Sequence, residues 1–208
     1  MTVFVAGSIS TKRLTKPVTE RLDTIIAKEY DIVVGDARGV DKAVQRHLLA
    51  RKYDRVTVYC INTPRNNIGE WPVHSVAVTA TRPKRSDFAK KDRAMAEHAD
   101  IGFMIWDDRS PGTLNNVLNL LGLGKQSLVY AQTTDEFLWI TGTEDLQTLA
   151  DRIPEEERAA VDEKTGLSQR IKDPRSGVSY EIEPVSDSVR ESQLDLFGTV
   201  DQPKVDRG

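Results

Sequence analysis

Cysteine is almost absent: Cys60 is the only one in 208 residues. One thiol excludes an intramolecular disulfide and suits a reducing compartment. A basic surplus is also missing, with 29 Lys and Arg against 32 Asp and Glu for a formal charge of −3. No global positive field therefore draws nucleic acid regardless of its sequence, and direct nucleic-acid binding is expected to be weak or absent. No apolar run approaches the length of a membrane span, and the opening MTVFVAGSIS has no basic segment ahead of an apolar core. The expected location is cytoplasmic, with no membrane contact.

Several chemical fingerprints are lacking. The chain has no GxGxxG, no GxxxxGK[ST] and no GxSxG, which argues against an ordinary NAD-dependent dehydrogenase, a P-loop ATPase and a nucleophile-elbow hydrolase. His47, His74, His98 and Cys60 show no metal-ligand spacing, so neither a metal nor a cofactor is expected. No internal repeat is present.

What is there is an alternation of short apolar runs with helical periods. Val3–Ala6, Asp31–Val34, Val56–Cys60, Ile101–Trp106 and Ser127–Tyr130 read as strands, with Val76–Val78 as an edge strand and Phe137–Thr141 as a further one. Helical spacing follows Pro17 and recurs over Val40–Lys52, Asp87–His98 and Thr113–Leu123, with a short helix at Thr143–Arg152 and an acidic one at Pro154–Asp162. Alternating strands and helices imply right-handed crossovers. The expected fold is α/β: a Rossmann-like, mostly parallel sheet flanked by helices, with a weakly ordered C-terminal extension from Lys164 that includes a small hairpin near Val178–Ile182. The expected organisation is a nucleotide-binding core over residues 1–131, a strand and helix extension over 132–162, and a polar tail over 163–208. The apolar helix Asn115–Leu123 is also a candidate surface for a homo-oligomer.

In open α/β sheets, ligands bind outside the carboxyl ends of the strands, where strand order reverses. Three turns of unusual composition fall at such ends: Gly7-Ser8, Gly35-Asp36-Ala37-Arg38-Gly39-Val40-Asp41, and Trp106-Asp107-Asp108-Arg109-Ser110-Pro111-Gly112-Thr113. Glycines admit a close anion, and a helix start adds partial positive charge. Ser110, Gly112 and Thr113 therefore suit a phosphate, Asp36 and Asp41 suit ribose hydroxyls, and Arg38 suits a phosphate oxygen. Trp106 suits either base stacking or the core, and Asp41 also suits capping of its helix. Arg65–Trp71 reads as a lid or as a long surface connection with an exposed aromatic.

These turns resemble the SLOG superfamily of Rossmann-like nucleotide-binding proteins, in particular its YspA-like, DUF2493-type group. The resemblance is carried over Thr2–Ala131 by Val5-Ala6-Gly7-Ser8, by Val34–Ala43, and by Lys91-Asp92-Arg93-Ala94-Met95 with Trp106–Thr113. It implies a nucleotide or nucleotide-sugar ligand held as by a sensor or sequestering protein, with Asp92 and Arg93 at the site rather than on a solvated face with Lys90 and Lys91. Hydrolase members of the superfamily cleave N-glycosidic bonds with a Glu in PGGxGTxxE. Gly112 and Thr113 match its Gly-Thr, but Asn116 stands at the Glu position and cannot exchange a proton as a carboxyl does. An N-glycoside hydrolase or transferase is the alternative reading, with Asp92 or Asp107 as catalytic candidates. Near the C-terminus, Gln193-Leu194-Asp195-Leu196-Phe197 resembles the peptide by which bacterial proteins dock on the replication sliding clamp. That resemblance implies a replication or repair accessory factor as a third reading.

Overall fold

A computed structural model describes residues 1–79 and 82–173. In chain order it contains β1 (Thr2–Gly7), α1 (Lys16–Ala27), β2 (Asp31–Gly35), α2 (Val40–Ala50), β3 (Val56–Ile61), β4 (Val73–Val76) and α3 (Arg85–His98). It continues with β5 (Ile101–Trp106), α4 (Pro111–Gly122), β6 (Ser127–Ala131), β7 (Glu136–Ile140), a 3-10 turn (Thr143–Asp145), α5 (Leu146–Arg152), α6 (Glu155–Thr165) and α7 (Leu167–Lys172). The strands form one sheet in the order β4-β3-β2-β1-β5-β6-β7. All neighbours are parallel except β6 and β7. The Rossmann-like expectation holds, and strand order reverses between β1 and β5.

The central strands are apolar throughout because both faces are covered. Every residue of β5 and β6 is buried. On one face, Val3 and Val5 of β1 pack with Val18, Leu22 and Ile25 of α1 and with Val40, Val44 and Leu48 of α2. On the other face, Phe4 and Ala6 pack with Met95 of α3, Leu114 and Val117 of α4, and Leu146, Leu149, Val161 and Leu167 of α5 to α7. Each of these larger side chains contributes about 1.5–3 kcal/mol by leaving water. Alternate residues of one strand thus hold two helical layers against one sheet.

Two expectations are corrected, at the edge strand and at the start of the C-terminal extension. The edge strand lies at Val73–Val76 rather than Val76–Val78. Beyond it, the Asn62 carboxamide donates to the Val78 carbonyl (3.1 Å) and accepts from the Val78 amide (2.9 Å), so a side chain replaces the neighbouring strand there. The final strand pairs antiparallel, from Ser127 opposite Ile140 to Ala131 opposite Glu136. Weak order does not begin at Lys164: α6 runs to Thr165, Gly166 turns with φ 64°, and α7 buries Leu167 in the core. The Val178–Ile182 hairpin and the Gln193–Phe197 segment lie outside the described residues.

Candidate functional site

Strand and helix directions bring the ends of β1 and β2 and the starts of α3 and α4 to one edge of the sheet. A cleft of about 790 Å³ opens there, between α3 and α4. Phe4, Ala6 and Met95 give it apolar lining. Gly7 and Ile9 border it from the β1 turn, and Gly35, Ala37 and Asp41 from the β2 turn.

The α4 wall is uncharged and polar. Ser110, Gly112, Thr113, Asn115, Asn116 and Asn119 line the cleft. Pro111 starts the helix, and Ser110 at the N-cap makes no side-chain capping bond. The first-turn amides thus lack the usual side-chain partner of an N-terminus. A methyl group added at Gly112 would meet nothing within 4 Å. Thr113 Oγ1 and Asn116 Oδ1 are buried and have no hydrogen-bond partner among the described residues, although the two residues are only 3% and 6% exposed. A buried polar atom without a partner costs about 1–3 kcal/mol.

The α3 wall is charged. Arg65 from the β3–β4 connection joins Arg85, Lys90, Lys91 and Arg93 as cations of the cleft, against the carboxylates Asp41 and Asp92. Four of these cations have partners: Arg65 with Asp36 (2.6 Å), Lys90 with Asp87 (3.2 Å), Lys91 with Asp92 (3.1 Å) and Arg93 with Glu97 (3.0 Å). Arg85 has none among the described residues. Arg85 is thus the one cleft cation without a carboxylate partner among the described residues.

Beneath this wall lies a buried ionic cluster. Lys91 is 4% exposed. Asp92, Asp41 and Asp36 hold its pKa above the ordinary lysine value despite the opposing effect of burial. Burial pushes the Asp41 carboxyl up to about 6, with the Lys91 charge and the Ala37 amide opposing the rise. Burial also acts to raise Asp36, but hydrogen bonds from the Arg65 guanidinium and amide hold it below its ordinary value. Gly35 makes room for this cluster: a Cβ there would lie 2.3 Å from Asp41 Oδ2 and 2.7 Å from Lys91 Nζ.

Of the residues singled out in the sequence, the cleft gathers Gly7, Gly35, Asp41, Asp92, Arg93, Ser110, Gly112, Thr113 and Asn116. The others lie elsewhere. Trp106 is 1% exposed in the core and donates its indole N–H to the Ser110 carbonyl (3.2 Å), so it positions the α4 start and offers no stacking face. Asp36 is taken up by the Arg65 fork. Arg38 is exposed outside the cleft. Gly39, at φ 80°, packs against the Ile9 backbone and begins α2. Asp41 does not cap α2; its carboxylate accepts the Ala37 amide (3.1 Å). Ser8 Oγ accepts the Asp107 amide, while Asp107 accepts from Ser10 Oγ (2.7 Å) and the Ser110 amide (2.8 Å). Ser8 and Asp107 thus tie the β1 turn to the α4 start.

Two further readings are overturned. Lys91 is not solvated, and Trp71 is not exposed: its indole donates to the Tyr53 carbonyl (2.9 Å). The Arg65–Trp71 segment is pinned by Asn66 to the Asp36 carbonyl and by the Ile68 amide to Gln45, so it forms a connection rather than a lid. The sequence did carry a signal for Lys91, because Phe88, Lys91 and Met95 share a helical face at i, i+3 and i+7. Arg65 had no such signal, since it meets Asp36 only through a 29-residue separation.

No protein-family model matches the chain, and no curated protein does. Among solved structures, it is similar to DNA processing protein A from Helicobacter pylori, a protein with a single-stranded DNA binding mode. The TM-score is 0.50 at 16% identity, over 78% of this chain and 79% of that one. A likeness at that identity shows a shared Rossmann-like fold. The resemblance to the YspA-like group rests on the sequence motifs.

Proposed function

We propose that the cleft binds a nucleotide or nucleotide-sugar, as a sensor or sequestering protein of the SLOG type, with a phosphate on the first turn of α4. The observation that carries this reading is the state of that turn. Its N-cap lacks a side-chain bond, Thr113 Oγ1 has no hydrogen-bond partner among the described residues, and the space beside Gly112 is open. A phosphate accepts from backbone amides and a hydroxyl, and the helix start favours its charge. Arg85, without a carboxylate partner among the described residues, adds a positive charge on the opposite wall. Asn116 leaves the cleft without a carboxylate on the α4 side, which favours holding the ligand over cleaving it.

The test is a thermal-shift panel of mononucleotides, ADP-ribose, NAD and cyclic nucleotides, with chromatography of each hit after incubation. A ligand that binds the folded state raises its stability by mass action. The expected result is a shift with ligand recovered intact, reduced in Thr113→Val. Release of free base, lost in Asp92→Ala, would replace this reading with the hydrolase. Single-stranded oligonucleotides belong in the same panel, and a shift from them alone would replace the small ligand with DNA.

From its sequence, Gln193–Phe197 is read as a docking peptide for a replication sliding clamp. Co-elution of the full chain with purified clamp, lost in Leu196→Ala with Phe197→Ala, is the expected result.

A further inference from the structure

Thr113, Asn116 and Asn119 line the cleft at intervals of three residues, so they rise along α4 by about 4.5 Å per step. None of the three side chains makes a hydrogen bond among the described residues. Asn115, the neighbouring amide, differs: it donates to the Lys164 carbonyl at 3.3 Å. One hydroxyl and two carboxamides therefore stand unpartnered on a single wall, with Thr113 and Asn116 buried.

The chemistry of the three groups is not alike. A phosphate dianion offers only acceptors, so it matches the Thr113 hydroxyl and the first-turn amides but cannot satisfy an amide carbonyl. A carboxamide needs a partner that both donates and accepts. A sugar hydroxyl does both, whichever way the amide is turned.

We infer that the α4 wall reads a ribose 5′-phosphate, with phosphate at Thr113 and the vicinal 2′,3′-diol at Asn116 and Asn119, so that the site selects ribonucleotides over deoxyribonucleotides. This rests on the phosphate reading above and goes beyond it by naming the sugar. A site built to bond a hydroxyl rejects the analogue lacking it, because its own polar groups are then left buried and unpaired.

The experiment titrates the full-length protein with AMP, 2′-deoxy-AMP, 3′-deoxy-AMP, ribose 5-phosphate and 2-deoxyribose 5-phosphate by calorimetry. Each ribo compound is expected to bind at least ten-fold more tightly than its deoxy counterparts. Asn116→Ala should bring ribo affinity down toward the deoxy level, and of the two deoxy nucleotides it should weaken only the one that keeps the hydroxyl Asn116 bonds. Thr113→Val should weaken all of them alike. Asn116→Ala should not lower the unliganded melting temperature, since the buried carbonyl it removes has no partner among the described residues. Asn119→Ala serves as a second, more exposed variant with the same expected direction. Equal binding of ribo and deoxy compounds, or discrimination that survives in both Asn variants, overturns the inference and leaves the phosphate reading standing. Binding by none of these compounds, while another nucleotide of the panel binds, overturns the inference alone. Binding by no phosphate compound takes down both.

Discussion

Lys91 and Asp41 meet against the Gly35 backbone, where one ammonium faces more than one carboxylate. The proton balance there has a definite sign. The folded pKa of Asp41, about 6, lies above the unfolded value of about 3.9. The native state therefore holds this proton more tightly than the unfolded chain. The stability it contributes is complete below about pH 4 and is lost as pH rises through about 6. A shift of this size corresponds to roughly 3 kcal/mol as an upper bound. Asp41→Asn should flatten that slope, gaining on the parent protein between pH 4.5 and pH 7.5 in urea unfolding. A difference that is the same at every pH would remove Asp41 as the source. Lys91→Met leaves the acidic groups without their cation and should cost about 3–5 kcal/mol at pH 7.5. The deficit should shrink at pH 5, where the carboxyls can protonate.

At the scale of the element, the start of α4 is held from outside the helix. Ser110 contributes no side-chain cap, whereas Asp107 accepts the Ser110 amide and Ser10 Oγ, and Trp106 donates to the Ser110 carbonyl. Ser110→Ala should therefore change stability by less than about 0.5 kcal/mol, below the usual loss of an N-cap. Asp107→Ala should cost about 1.5–3 kcal/mol, the range for bonds to a charged group. Equal effects in chemical denaturation would contradict this division of labour. Gly112→Ala is the complementary probe. The new methyl group enters open space, and alanine is the better helix former by up to about 1 kcal/mol. The variant should be at least as stable as the parent, yet bind a phosphate ligand at least ten-fold more weakly in calorimetry, because the methyl occupies the approach to the first-turn amides. The composition of this turn was readable from Ser110-Pro111-Gly112-Thr113. The roles within it were not, because Asp107 and Trp106 act through partners set by the β1 turn and by the core.

At the scale of the whole molecule, the second helical layer extends through α5, α6 and α7, and Leu167 is 3% exposed within it. Leu167→Ala should cost about 2–5 kcal/mol, as for other buried leucines. A loss below about 0.5 kcal/mol would detach α7 from the core. The chain is acidic overall, yet its cleft gathers Arg65, Arg85, Lys90, Lys91 and Arg93. Net charge sums over the whole chain and so carried no record of this local grouping. Strand and helix positions were legible because buried parallel strands must be continuously apolar and their helices must repeat near 3.6 residues. Those local rules, with glycine at the strand ends, determined an α/β fold with its turns at one edge of the sheet. Only the tertiary structure decided which turn residues face the cleft. It paired Asp36 with Arg65, placed Trp106 in the core, buried Lys91, and left the Thr113, Asn116 and Asn119 side chains without hydrogen-bond partners among the described residues. Each of these outcomes depends on which distant atom arrives within hydrogen-bonding reach, and sequence spacing carries no record of that.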